Sequence, residues 1–143
     1  MLRAGLFFAG ADRTLAGTAT AEGLDNGVLT AMEAGNLNLT GTELVVLSAC
    51  DTGRGEVKNG EGVFGLRRAL EEAGAQEVLM SLWPVPDAET LELMKRFYAK
   101  WLGGMEIHQA LKEAQLEMRE TVKASHDGRD LPVYWGAFVL VGK

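Results

Sequence analysis

The stretch Glu43-Leu44-Val45-Val46-Leu47-Ser48-Ala49-Cys50-Asp51-Thr52-Gly53 decides how the rest of this 143-residue chain is read. Residues 43–48 hold a continuous apolar run bounded by turn residues, the pattern of a strand covered on both faces. Cys50 follows two residues past its end, at the mouth of a loop over residues 51–62 that carries Gly53, Gly55, Gly60 and Gly62. In open α/β sheets, sites gather outside the carboxyl ends of strands, where loops vary around a rigid scaffold. Cys50 is therefore a candidate nucleophile, weighed against the ordinary fate of a lone cysteine as a small buried hydrophobe.

Outward from this stretch the chain alternates. Towards the C-terminus, residues 61–72 place Val63, Leu66, Ala69 and Leu70 at helical spacing with Gly74 as the stop, and residues 77–83 form a second buried strand. Asp87 is expected to cap a helix whose stripe is Leu91, Met94, Tyr98, Trp101 and Leu102, broken by Gly103-Gly104. A third helix is expected over residues 105–121, a loop over 124–132 and a closing strand over 133–141. Towards the N-terminus, residues 4–9 read as a strand and 10–27 as a polar loop or loose hairpin. Thr30 there caps a helical turn that Gly35 stops. Strands alternating with helices predict an α/β fold with a mostly parallel sheet and flanking helices.

Composition bounds the function. Fourteen Lys+Arg against twenty Asp+Glu give a net charge of −6. That balance argues against nucleic acid or an anionic membrane as partner, since both demand surplus basic side chains. One cysteine excludes an intrachain disulfide and fits a reducing, cytoplasmic setting. Two histidines, His108 and His126, with that cysteine are too few for a zinc cluster, and no cofactor is expected. Gly60-Glu61-Gly62-Val63-Phe64-Gly65 fits G-x-G-x-x-G, but eleven residues separate it from Ser48, whereas a dinucleotide loop follows its strand directly.

The combination of Leu44–Gly53, Gly60-Glu61-Gly62-Val63-Phe64-Gly65-Leu66, Ala73-Gly74-Ala75, Ser81-Leu82-Trp83-Pro84-Val85 and Tyr134-Trp135-Gly136-Ala137-Phe138-Val139-Leu140-Val141-Gly142 resembles the cysteine-bearing half of a CHAT domain. CHAT domains are caspase-like, separase-related cysteine peptidase domains often joined to tetratricopeptide repeats. The likeness spans about residues 40–142, with 1–39 matching more loosely. It implies a caspase-like three-layer sandwich lacking its early strands. The whole chain, 1–143, would be one partial domain, with 1–40 a lead-in and 41–143 the cysteine-bearing core.

The resemblance further implies a Cys–His dyad with Cys50 as nucleophile and backbone N–H groups holding the oxyanion. The family's histidine lies in a His-Gly pair upstream of the cysteine, and this chain has no histidine before Cys50. His108 reads as a partly exposed helix residue and His126 as a turn residue. Trp83-x-Val85-x-Asp87 is similar to a separase stretch beside the substrate groove, which makes Asp51 and Asp87 candidate substrate-binding carboxylates for a basic side chain. Three readings follow: the cysteine-bearing part of an endopeptidase, inactive alone; a non-catalytic interaction module; and a free-standing thiol enzyme using His126. The expected partners are a peptide or protein, a tetratricopeptide-repeat segment, and a second copy joined through an exposed sheet edge.

Overall fold

A computed structural model describes residues 5–18, 26–47 and 61–142. In chain order the elements are β1 (Gly5–Phe7), α1 (Ala11–Leu15), β2 (Val28–Thr30), α2 (Ala31–Gly35), β3 (Leu44–Leu47), α3 (Glu61–Glu72), β4 (Glu77–Ser81), α4 (Asp87–Leu102), α5 (Ile107–Ser125), a 3-10 turn (Pro132–Tyr134) and β5 (Phe138–Gly142). This is a mixed α/β chain with a two-stranded sheet, β1-β2, and a three-stranded sheet ordered β3-β4-β5. The chain divides into two compact units. The described residues of the first are 5–18, 26–45, 61–78 and Gly142; those of the second are 46–47 and 79–141.

In the first unit β1 and β2 pair antiparallel, with Gly5 opposite Thr30 and Phe7 opposite Val28. This ladder departs from the expectation of a mostly parallel sheet. The intervening segment is also no plain loop, since it contains α1, a five-residue helix with no side-chain cap that periodicity could not announce. Thr30 caps α2 as read, and the structure adds a full capping box with Glu33. The Thr30 hydroxyl accepts from the Glu33 N–H (3.2 Å), and the Glu33 carboxylate accepts from the Thr30 N–H (2.8 Å).

α3 runs over the expected residues and buries Leu66, Ala69 and Leu70. Its end is a Schellman motif: Gly74, at φ +113°, donates to the Glu71 carbonyl, and Ala75 donates to Leu70. A side chain at Gly74 would meet the Thr40 nitrogen at 2.9 Å, so glycine also lets residues 39–40 close on this turn. There the Leu39 N–H donates to the Ala73 carbonyl (2.9 Å), and the Gln76 N–H donates to Thr42 (3.0 Å).

The second unit is built on α4 against α5. α4 also ends in a Schellman motif, with Gly104 at φ +98° donating to Trp101 and Met105 donating to Lys100. The expected stripe of α4 needs correction. Leu93 and Phe97 are fully buried, whereas Leu91 and Leu102 are 55% and 77% exposed. α5 starts later than expected, because Glu106 caps it by accepting from the His108 and Gln109 N–H groups (3.0 and 2.9 Å), and it runs on to Ser125. It buries Ala110, Leu111, Ala114, Met118 and Val122.

The closing strand is shorter than read. Pro132 starts a 3-10 turn through Tyr134, so β5 begins at Phe138. The Gln115 amide donates to the Phe138 carbonyl (2.8 Å) and ties α5 to that strand. Among the described residues no helix is long and apolar enough to cross a membrane.

Candidate active site

β3 ends at Leu47, and both Cys50 and Asp51 lie outside the described residues. The glycine loop over 51–60 lies outside them as well. What the structure positions is the other strand end of the expected site, the segment after β4.

β4 stops at Ser81, two residues short of the expected end, because the backbone then carries Pro84 and Pro86, which have no N–H to continue a ladder. Leu82 still donates to the Ala137 carbonyl (2.8 Å). The Trp83 indole N–H then donates to the Val133 carbonyl (3.1 Å), a bond across fifty residues of sequence. The alternation is that of extended chain, with Trp83 and Val85 half-buried and Leu82, Pro84 and Pro86 exposed.

Asp87 is exposed and is the first residue of α4 rather than its cap. Pro86 holds the cap position, its carbonyl accepting from Thr90 (3.0 Å), and no side chain caps the helix. A carboxylate in the first turn still complements the helix dipole. Its side chain is thus left facing solvent.

His108 lies exposed in the first turn of α5. His126 follows the last residue of that helix. Its Nδ1 lies 2.9 Å from the Val122 carbonyl and 2.9 Å from Ser125 Oγ, and its ring stacks on Tyr134 with centroids 5.2 Å apart. A carbonyl can only accept, so in the neutral ring Nδ1 carries the proton and Nε2 is the basic atom. His126 therefore terminates α5, the turn role its sequence context suggested.

One further cluster was not legible in the sequence. Arg119 of α5 donates through Nε to Asp130 Oδ2 (2.7 Å), and the Trp135 indole N–H donates to Asp130 Oδ1 (3.1 Å). The Arg119 guanidinium carbon sits 5.6 Å from the Trp135 ring centroid, which closes a triangle. The Arg119 hydrogen bond holds the Asp130 carboxyl below its ordinary range, and Asp130 raises Arg119 in return. Arg119 sits on a helix and Asp130 in a loop, so no spacing rule links them. Among the described residues no group of three His, Cys, Asp or Glu side chains is placed to hold a metal ion.

The CHAT domain family model matches the chain over residues 1–143, so the chain belongs to the CHAT domain family. The match takes in residues 1–39, where the likeness read from sequence was loose. Among curated proteins the chain is similar to tetratricopeptide repeat protein 28 of Homo sapiens, 37% identical over 115 residues. It is similar to tetratricopeptide repeat protein 28 of Mus musculus at 36% over 115 residues. Each alignment covers 80% of this chain but only 4% of the relative, so the chain spans a small fraction of those proteins' length.

Proposed function

We propose that this chain is the cysteine-bearing part of a caspase-like cysteine endopeptidase domain, with Cys50 as nucleophile, and that it does not hydrolyse peptides by itself. The observation that carries the reading is the CHAT family match over residues 1–143 in a chain whose single cysteine is Cys50, two residues beyond the run 43–48. In this reading residues 1–143 belong to one domain, with a lead-in over 1–40 and the cysteine-bearing core over 41–143. Its three-stranded sheet runs parallel within a three-layer sandwich.

The chemistry is acyl transfer. The Cys50 thiolate attacks the scissile carbonyl carbon, the C–N bond breaks as the leaving amine takes a proton from an imidazolium, and water then hydrolyses the thioester. The chain has no histidine before Cys50, where the family places its base. In this reading neither His108 nor His126 serves as the base. Asp51 and the exposed Asp87 are the carboxylates proposed to meet a basic substrate side chain. The partners in this reading are a cytoplasmic peptide or protein, a tetratricopeptide-repeat segment like that named in the relatives, and a second copy of the chain.

A second reading is a non-catalytic interaction module on the same scaffold; the packing of His126 at the end of α5 speaks against the free-standing thiol enzyme that would use it as base.

Alkylation of the native chain with iodoacetamide, read by mass spectrometry beside a peptide-hydrolysis assay, tests both. The expected result is modification at Cys50 with no hydrolysis. Hydrolysis that Cys50→Ala abolishes overturns the inactive-part reading, and a native Cys50 inert to iodoacetamide overturns the nucleophile in favour of the module.

A further inference from the structure

The chain has four asparagines, of which Asn26 and Asn59 precede glycines. Gly27 is glycine by necessity. Its φ is +71°, and a Cβ there would meet the Ala11 nitrogen at 2.6 Å, so no side chain fits between this turn and α1. Asn26 is exposed and closes an Asx turn over Gly27, its Oδ1 accepting from the Val28 N–H (2.9 Å). That bond carries the side-chain amide back across Gly27 and polarises the Cγ carbonyl. Among the described residues nothing accepts the Gly27 N–H.

Asn38 supplies the contrast within the same unit. It closes an Asx turn too, its Oδ1 accepting from the Thr40 N–H (3.2 Å). The residue spanned there is Leu39, which carries a branched side chain and whose N–H donates to the Ala73 carbonyl (2.9 Å). The same turn is therefore present twice, once with an open peptide nitrogen and once with an engaged one.

We propose that Asn26 is a self-modification site, deamidating through a succinimide, and that its isoaspartyl product unfastens β1 and α1 from β2. The Gly27 nitrogen loses its proton to solvent base and bonds to Asn26 Cγ, and the side-chain nitrogen leaves as ammonia. Water then opens the ring. Attack at Cγ gives aspartate, and attack at the main-chain carbonyl carbon gives isoaspartate, whose backbone is longer by one carbon.

The two products differ in what they undo. Aspartate keeps an oxygen for the Val28 N–H and leaves the main chain intact. Isoaspartate turns the Asn26 carbonyl, which accepts from the Thr14 hydroxyl (2.6 Å), into a pendant carboxylate. It also shifts the Gly27 carbonyl away from the Phe8 N–H (2.7 Å). Those bonds fasten α1 and the end of β1 to the start of β2, and Gly27 has no room beside Ala11 to absorb the added carbon.

Ageing the full chain in mildly alkaline buffer tests this by peptide mapping, in an Asn59→Gln background that leaves a single Asn-Gly pair. Asn26 should convert about ten times faster than Asn38, with isoaspartate among its products. The aged form, separated by ion exchange, should exchange its Phe8 N–H about five-fold faster than fresh protein. Asn26→Asp, the same-charge reference, should stay near fresh protein. Asn26 and Asn38 converting equally slowly overturns the modification site. Conversion to aspartate alone, or Phe8 exchange that is equal in aged protein and in Asn26→Asp, overturns the unfastening and the proposal with it.

Discussion

At the residue scale, three carboxylates do local work that a pH titration exposes. Glu33 is held below its ordinary 4.5, first by the Thr30 backbone N–H and then by the Thr30 hydroxyl. Glu106 is held below the same value by the backbone N–H groups of His108 and then Gln109. Asp130 is held below 3.8 chiefly by its Arg119 hydrogen bond. A folded-state pKa below the unfolded one means stability that is present above the ordinary value and lost as pH falls through the depressed one. Glu106→Gln should therefore melt below wild type at neutral pH, with the gap closing once pH drops well under 4.5. Thermal melts across that range check the sign, and a gap that widens on acidification contradicts it. The Thr30 cap was legible because its signal is local, a threonine at the head of a short helical stretch. The Asp130 cluster was not, because its partners meet only after α5, the turn and the start of β5 are in place.

At the element scale, α4 shows how far periodicity reaches. Leu91, Met94, Tyr98, Trp101 and Leu102 do share a helical face, and so do Leu93 and Phe97. The helix is apolar over more than one sector, and spacing cannot say which sector the neighbour takes. Packing against α5 selects Leu93 and Phe97, with the Phe97 ring 5.1 Å from Tyr98 and 5.8 Å from Trp101 between centroids. Phe97→Ala should accordingly cost about 3–5 kcal/mol, the range for deleting a fully buried aromatic ring. Leu102→Ala, at the exposed end, should change stability by no more than about 0.5 kcal/mol. Urea unfolding of the two variants ranks the faces; equal losses would return the burial to the original stripe. α3, by contrast, was read to its bounds, because its apolar residues form a single sector and Gly74 supplies an unambiguous stop.

At the scale of the whole molecule, the feature with the clearest consequence is the β1-β2 ladder. It has three residues per strand, and Phe7 and Phe8 are 48% and 58% exposed beside it. Two-stranded sheets are marginal on their own, and an apolar edge invites a further strand. The expected state is a dimer or higher oligomer joined through such an edge. Light scattering at micromolar concentration checks it, with Phe7→Lys expected to shift the population towards monomer. A wild-type monomer under those conditions removes the proposal.

The amino-acid sequence by itself determined the class of fold, most of the element order and the family. These rest on short-range signals: apolar runs, helical spacing, a capping threonine and glycines where φ must be positive. Tertiary structure alone decided which face of α4 is buried, that β1 and β2 run antiparallel, that Asp87 begins a helix rather than capping it, that the Trp83 indole meets the Val133 carbonyl, and that Arg119 and Trp135 meet at Asp130. Those outcomes depend on groups distant in sequence arriving together, and their energy exists only once they have met.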